Sequence, residues 1–187
     1  MREIALHLLD LAENSVSAKA RTVQVSVCED MYADRLTASV EDDGCGMAPE
    51  MAAAVVDPFV TNRIERNVGL GIPLLKEAAE ICNGDMQIAS TPGIGTRIAV
   101  SFQHSHIDRM PLGDLPATFL AMTVAHPEVH WIFHYSLLPS NGEPHQVFEF
   151  DDQPFKEVMD GLPLTEPAVL SYLRSMFEEG IDAARQL

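Results

Sequence analysis

A chain of 187 residues is long enough to bury a core without disulfide or metal staples. Its formal charge of −16, from 28 acids against 12 bases, counts against nucleic acid and anionic membrane as partners, because both are bound through clustered Lys and Arg. Cys28, Cys45 and Cys82 are odd in number and widely spaced, which fits a reducing cytoplasm better than a disulfide framework or a zinc site.

The opening MREIALHLLDLAENS is broken by Asp10 and Glu13 before a signal-peptide core can form. The longest later apolar run, ATFLAMTVA at 117–125, falls short of the about 20 residues that span a bilayer. Residues 2–20 are instead predicted as a helix, with Ile4, Leu8, Leu11 and Ser15 on one side and Ala5, Leu9, Ala12 and Val16 beside them. So wide an apolar stripe points to packing on a sheet. Asp10 and Asn14 lie four apart and stack on one helical face, where a carboxylate and an amide can hold a hydrated metal and a water. The same pair also serves as a solvated edge, with Asp10 or Glu13 pairing Lys19 or Arg21.

TVQVSVCE (22–29) and LTASVED (36–42) alternate apolar and polar residues and form an expected antiparallel pair. The second runs into VEDDGCGM (40–47), where an apolar strand stops at an acidic pair and two glycines. Asp42 is placed there to accept a hydrogen bond from an exocyclic amine, and Gly44 and Gly46 carry no Cβ to obstruct a flat ring; a plain Asp-Gly turn is the alternative. Pro49 opens a short helix that Pro58 closes. The loop VTNRIERN (60–67) carries Arg63 and Arg66 and leads to Gly69, Leu70 and Gly71, ahead of a helix with Pro73 in its first turn and Gly84 as C-terminal cap. Free amides at such a helix start suit an anion, although any loop-to-helix junction has the same composition. DMQIAS (85–90) and TRIAVSF (96–102) then form a hairpin around TPGIG.

Taken in order, AENSVSA, DDGCGM, DPFVTNR, VGLGIPLLK and TPGIGT resemble the successive nucleotide boxes of the ATPase superfamily shared by histidine kinases, gyrase B, Hsp90 and MutL. The resemblance implies a Bergerat-type α/β fold, a two-layer sandwich in which helices cover one face of a mixed sheet, with ATP and Mg²⁺ as cofactors. Asn14 would help hold the Mg²⁺, and Asp42 would bond the adenine amino group. Gly44 and Gly46 would wall the base, with Met47 in the same box. Arg63 would reach the γ-phosphate, the amides of Gly69, Leu70 and Gly71 would meet the phosphates, and Thr96 would sit near Asp42 and help fix adenine.

The chain departs from this pattern in three respects. Asp10 stands where the gyrase and MutL branch carries a glutamate as general base, and a base misplaced by about 1 Å costs roughly a hundredfold in rate. Asp10 is the catalytic candidate; Glu13, turned about 100° from Asn14 around the helix, is the other. No phosphoacceptor hairpin precedes the boxes, so self-phosphorylation on histidine is not expected, and His7 reads as a structural or surface residue. Only a short lid separates Phe59 from Gly69.

The nucleotide region is expected over 1–104 and a small α–β–β–α extension over 105–187, with a helix at 115–126, strands EVHWIFHYSLL and HQVFEFDD around an Asn-Gly turn, and a last helix capped by Thr165. Its ending resembles that of stand-alone ATP-binding proteins that accompany iron-hydrogenase gene sets. The extension is expected to form a partner or homodimer interface. A metal site through His126, His130 and His134 is disfavoured because Pro127 breaks any helix through the first pair. Three functions fit: an ATP·Mg²⁺-dependent regulator that phosphorylates or remodels a protein partner, a nucleotide-sensing module with little turnover, and a dimerising ATPase switch.

Overall fold

A computed structural model describes residues 3–56, 71–141, 147–159 and 161–185. Its elements in chain order are α1 (Ile4–Ser17), β1 (Thr22–Asp30), β2 (Arg35–Asp42), α2 (Pro49–Ala54), α3 (Gly71–Ile81), β3 (Asp85–Thr91) and β4 (Gly95–Gln103), followed by α4 (Leu115–Ala125), β5 (His130–Leu138), β6 (Val147–Asp151), α5 (Asp152–Met159) and α6 (Pro167–Arg185). The strands form one mixed sheet in the order β3-β4-β2-β1-β5-β6, in which β1 and β5 run parallel and every other pair is antiparallel.

The period-2 patterns decide which face is buried. Val23, Val25 and Val27 on β1, with Leu36, Ala38 and Val40 on β2, are buried beneath the helices. Gln24, Ser26, Thr37, Ser39 and Ala99 point the other way and line a shallow polar depression on the open face. The result is the two-layer α/β arrangement expected from the sequence, with one hydrophobic cluster among the described residues running from Ile4 to Ala184.

The C-terminal strands lengthen this sheet rather than starting another. β5 pairs with β1 from Thr22↔His130 to Asp30↔Leu138. Trp131, Phe133 and Tyr135 thereby continue the buried rows of β1. α4 lies beneath, starting at Asp114, whose Oδ1 accepts the Ala117 N–H at 2.9 Å. Its ring of Phe119 stacks on Phe133 at 4.3 Å, and Phe177 of α6 meets Phe150 edge-on at 4.9 Å.

Two details differ from the expectation. A further helix, α5, lies between β6 and α6. It starts because Asp151 Oδ1 accepts the Gln153 N–H at 2.9 Å, while the wholly buried Asp152 accepts the Trp131 N–H at 3.0 Å and lies 2.6 Å from Lys156 Nζ. At the end of α3 the left-handed residue is Asn83 (φ 54°), not Gly84. The Asn83 and Gly84 N–H groups donate to the Glu80 and Ala79 carbonyls, a Schellman cap, and Gly84 is required because a Cβ there would fall 1.7 Å from the Ser101 carbonyl oxygen. Among the described residues, no helix is long and apolar enough to cross a membrane.

Candidate functional site

The site begins with a serine on an apolar stripe. Ser15 is buried in α1 beside Leu8 and Leu11, and its hydroxyl donates to Asp42 Oδ2 at 2.8 Å. The other carboxylate oxygen of Asp42 accepts the Gly44 N–H at 2.9 Å. Because β2 ends at Asp42 on the helix-covered side, this carboxylate sits at the mouth of the core, partly open to solvent.

Strand register sets the neighbour. Asp42 pairs with Thr96 across β2 and β4, so the two side chains emerge on the same face. Thr96 Oγ1 lies 2.8 Å from Ser90 Oγ, and that serine also accepts the Met47 N–H at 2.7 Å. One hydroxyl therefore joins the strand carrying Thr96 to the glycine loop after Asp42.

That loop is held by backbone contacts. Cys45 N–H donates to the Ala18 carbonyl and Gly93 N–H to the Cys45 carbonyl. A Cβ on Gly44 would meet the Ala18 oxygen at 2.9 Å, and one on Gly46 (φ +62°) would meet the Thr91 oxygen at 2.0 Å. The missing Cβ atoms thus face protein backbone, and these glycines let the loop pack between the end of α1 and the β3–β4 turn. Asp43 secures the same corner: its Oδ1 accepts the Arg21 and Thr22 N–H groups at 2.6 and 2.8 Å. Partial burial raises the Asp43 pKa, but these amides outweigh it and hold the carboxyl below its ordinary value.

Beside the Ser15 stripe runs a second one, His7, Asp10 and Asn14, each about one turn from the next. Asp10 and Asn14 are half-buried, and neither side chain hydrogen-bonds to another described residue. Both offer hard oxygen donors of the kind Mg²⁺ takes, which leaves its remaining positions to water and phosphate. His7 is buried, not at the surface, and its Nδ1 has no partner among the described residues. Burial lowers its pKa, the N-terminal charge acts in the same direction, and Asp10 opposes both. Glu13 points elsewhere, its carboxylate 3.0 Å from His126 Nε2 at the end of α4.

Of the remaining expected site residues, Gly71 is the buried first residue of α3, whereas Arg63, Gly69 and Leu70 lie outside the described residues. Ser15, Ser90 and Asp43 escaped the sequence reading. A hydroxyl at a core position of α1 was the one available signal for Ser15; nothing local marks Ser90 or Asp43. His126, His130 and His134 each meet a different carboxylate, of Glu13, Asp151 and Glu149. His130, Asp151 and Asp152 lie close enough to share a cation, but the Lys156 ammonium already stands against Asp152.

Residues 2–106 match the family model for histidine kinase-, DNA gyrase B-, and HSP90-like ATPases. The chain belongs to that family. Among curated relatives of this ATPase-family chain, the non-motile and phage-resistance protein of Caulobacter vibrioides is 30% identical over 125 residues, 62% of this chain and 15% of that protein. The signal transduction histidine-protein kinase AtoS of Escherichia coli is 30% identical over 96 residues, 51% of this chain and 15% of that one. The likeness therefore spans about a seventh of each relative's length. The N-terminal domain of a DNA repair protein superposes with a TM-score of 0.52 over 81% of this chain and 52% of its own, at 13% identity, a likeness of fold.

Proposed function

We propose that this chain binds ATP with Mg²⁺ between α1 and the glycine loop after β2, and acts in the cytoplasm as a nucleotide-dependent regulator of a protein partner. The observation that carries the reading is Asp42. Its carboxylate is fixed by the Ser15 hydroxyl and the Gly44 amide, yet a carboxylate has room for about four hydrogen bonds, so acceptor capacity remains for an adenine amino group. Thr96 stands directly across the strand pair to complete that contact, and the loop carrying Gly44, Gly46 and Met47 is tied to the same end through the Ser90 hydroxyl.

Asn14 would help hold the Mg²⁺, which supplies charge neutralisation of the phosphates when bound. Gly71 opens a helix whose first amides and dipole favour an anion, with Gly69 and Leu70 preceding it and Arg63 assigned to the γ-phosphate. The relatives' names point to phosphoryl transfer, and Asp10 is our choice for the group that would orient a nucleophile. A second reading, a nucleotide-sensing module or dimerising ATPase switch with little turnover, is favoured by that same aspartate, one methylene shorter than glutamate. In it, ATP acts only through different affinities for two conformations.

Titration calorimetry with ATP and Mg²⁺ tests the site. Asp42→Ala is expected to weaken binding by about 1–3 kcal/mol, since the base loses a matched acceptor. Unchanged affinity would remove adenine from this position. With γ-labelled ATP and cell lysate, label on a second protein supports regulation by phosphoryl transfer, and retention without turnover supports the sensor. Asp10→Asn should leave binding intact while ending any turnover.

A further inference from the structure

The acidic surface of the chain has an apolar interruption at its far end. α5 and the first two turns of α6 splay apart around a groove of about 640 Å³, lined by Phe155, Val158, Met159, Leu162, Val169 and Tyr172. That volume lies within the range of about 300–1,000 Å³ over which proteins hold ligand-sized groups. Only Val169 belongs to the core. Val158, Leu162 and Tyr172 are 82, 56 and 59% exposed, an uncommon grouping for residues of this size around one groove. Phe155 stacks on Tyr172 at 6.0 Å with rings 4° from parallel, so the groove has a preformed aromatic side.

The charges around it determine what fits. Glu166 lines the groove, and Glu157, Glu178, Glu179 and Asp182 are exposed on the same two helices. Of the bases there, Lys156 is engaged by Asp152 and the Val129 carbonyl, and Arg185 by the Tyr135 hydroxyl, which leaves Arg174. A second copy is the wrong occupant. An isologous contact would set these acids against themselves, in two chains each carrying −16. We propose that this groove docks an amphipathic α-helix of a partner protein, its apolar face seated between α5 and α6 and its flanks rich in Lys and Arg. The proposal deepens the partner-directed part of the function above and does not depend on nucleotide.

The probe is a fluorescein-labelled synthetic 18-residue helix of Leu and Lys, with Leu at i, i+3, i+4 and i+7, titrated into the full chain without nucleotide. Its counterpart carries Glu for Lys. The Lys peptide is expected to bind at least tenfold tighter than the Glu peptide and to weaken as salt is raised. Val158→Asp is the deciding variant, because it adds a negative charge while spoiling the apolar wall: affinity for the Lys peptide should fall at least tenfold. Equal or tighter binding by Val158→Asp would mean general attraction to an acidic surface and would overturn the groove, and Tyr172→Asp provides the same reading on the opposite wall. Sedimentation should show a monomer; a dimer dispersed by Val158→Asp would assign the face to a second copy instead. ATP titration of the wild type and both variants separates the two proposals. Peptide binding without ATP binding sinks the nucleotide site alone, and ATP binding unaltered in variants that keep full peptide affinity sinks the groove alone.

Discussion

At the scale of single residues, two positions carry unfavourable features that experiments can read. Lys19 ends α1 in the left-handed region (φ 60°), with its N–H and that of Ala20 donating to the Val16 and Ser15 carbonyls. An L-residue there costs about 1–2 kcal/mol, partly offset by the greater unfolded-state freedom of glycine, so Lys19→Gly should stabilise by about 0.5–1 kcal/mol. A thermal midpoint raised by about 1–4 °C would show it, and a fall would contradict the cap assignment. His7 makes a pH-dependent case. Its folded pKa lies below the ordinary 6.5 because of burial, so above pH 6.5 both folded and unfolded states are neutral. As pH falls through 6.5 the unfolded chain takes up the proton first, and stability drops until the folded pKa is reached. The loss by pH 5.5 is at most about 1.4 kcal/mol, and His7→Gln should remove that part of the slope in urea unfolding at pH 7.5 and 5.5. An identical slope in the variant would refute the burial argument. Asp42 was legible in the sequence because an apolar strand running into Asp-Gly leaves its carboxylate at a strand end. Its supports were not, since Ser15 and Ser90 reach the site through long-range packing, from positions 27 residues before Asp42 and 43 residues beyond Met47.

At the scale of elements, legibility follows how local the cause is. The first helix, both early strands and the β3–β4 hairpin are written in periodicity and turn residues; the strands appear within one residue of where those patterns place them, and the helix ends three residues early. α5 was missed because HQVFEFDD alternates as a strand and the switch to helix depends on Asp151 capping Gln153, with Pro154 tolerated in the first turn. Gly84 was misread for a related reason: the demand for glycine comes from the β4 backbone, remote in sequence. α6 gives the clearest test of such close packing. A glycine within a helix ordinarily costs about 1 kcal/mol relative to alanine, yet a Cβ on Gly180 would lie 2.3 Å from the Phe148 ring. Phe148 in turn meets Phe177 edge-on at 6.2 Å, so it has little freedom to withdraw. Gly180→Ala is therefore expected to destabilise by about 1–2 kcal/mol despite its better helix propensity. A more stable variant would show that the ring yields.

At the scale of the whole molecule, the question is whether the segment beyond residue 104 unfolds by itself. The sheet argues that it does not, because β1 lies between β2 and β5 and pairs along its length with both. Glu29 of β1 adds a polar tie: it accepts the Tyr135 hydroxyl at 2.7 Å and meets His104 at 2.9 Å, while Arg185 at the end of α6 donates to the same phenol at 3.1 Å. Burial, with Glu29 adding to it, pushes the Tyr135 pKa far above the ordinary value, so this tie keeps its proton throughout the physiological range. Breaking β5 away would expose Val23, Val25 and Val27 along one edge and leave Glu29 without its phenol. Trp131, the one tryptophan of the chain, is buried in β5 with its indole N–H on the His126 carbonyl, and so reports this region alone. Far-UV dichroism reports all the helices and strands together. The continuous sheet predicts that urea midpoints followed by Trp131 fluorescence and by dichroism coincide, as one cooperative unit requires. Should fluorescence change at a clearly lower urea concentration, β5 and its helices would be a separately melting unit, and the pairing of β1 with β5 would contribute little to holding the rest of the sheet together.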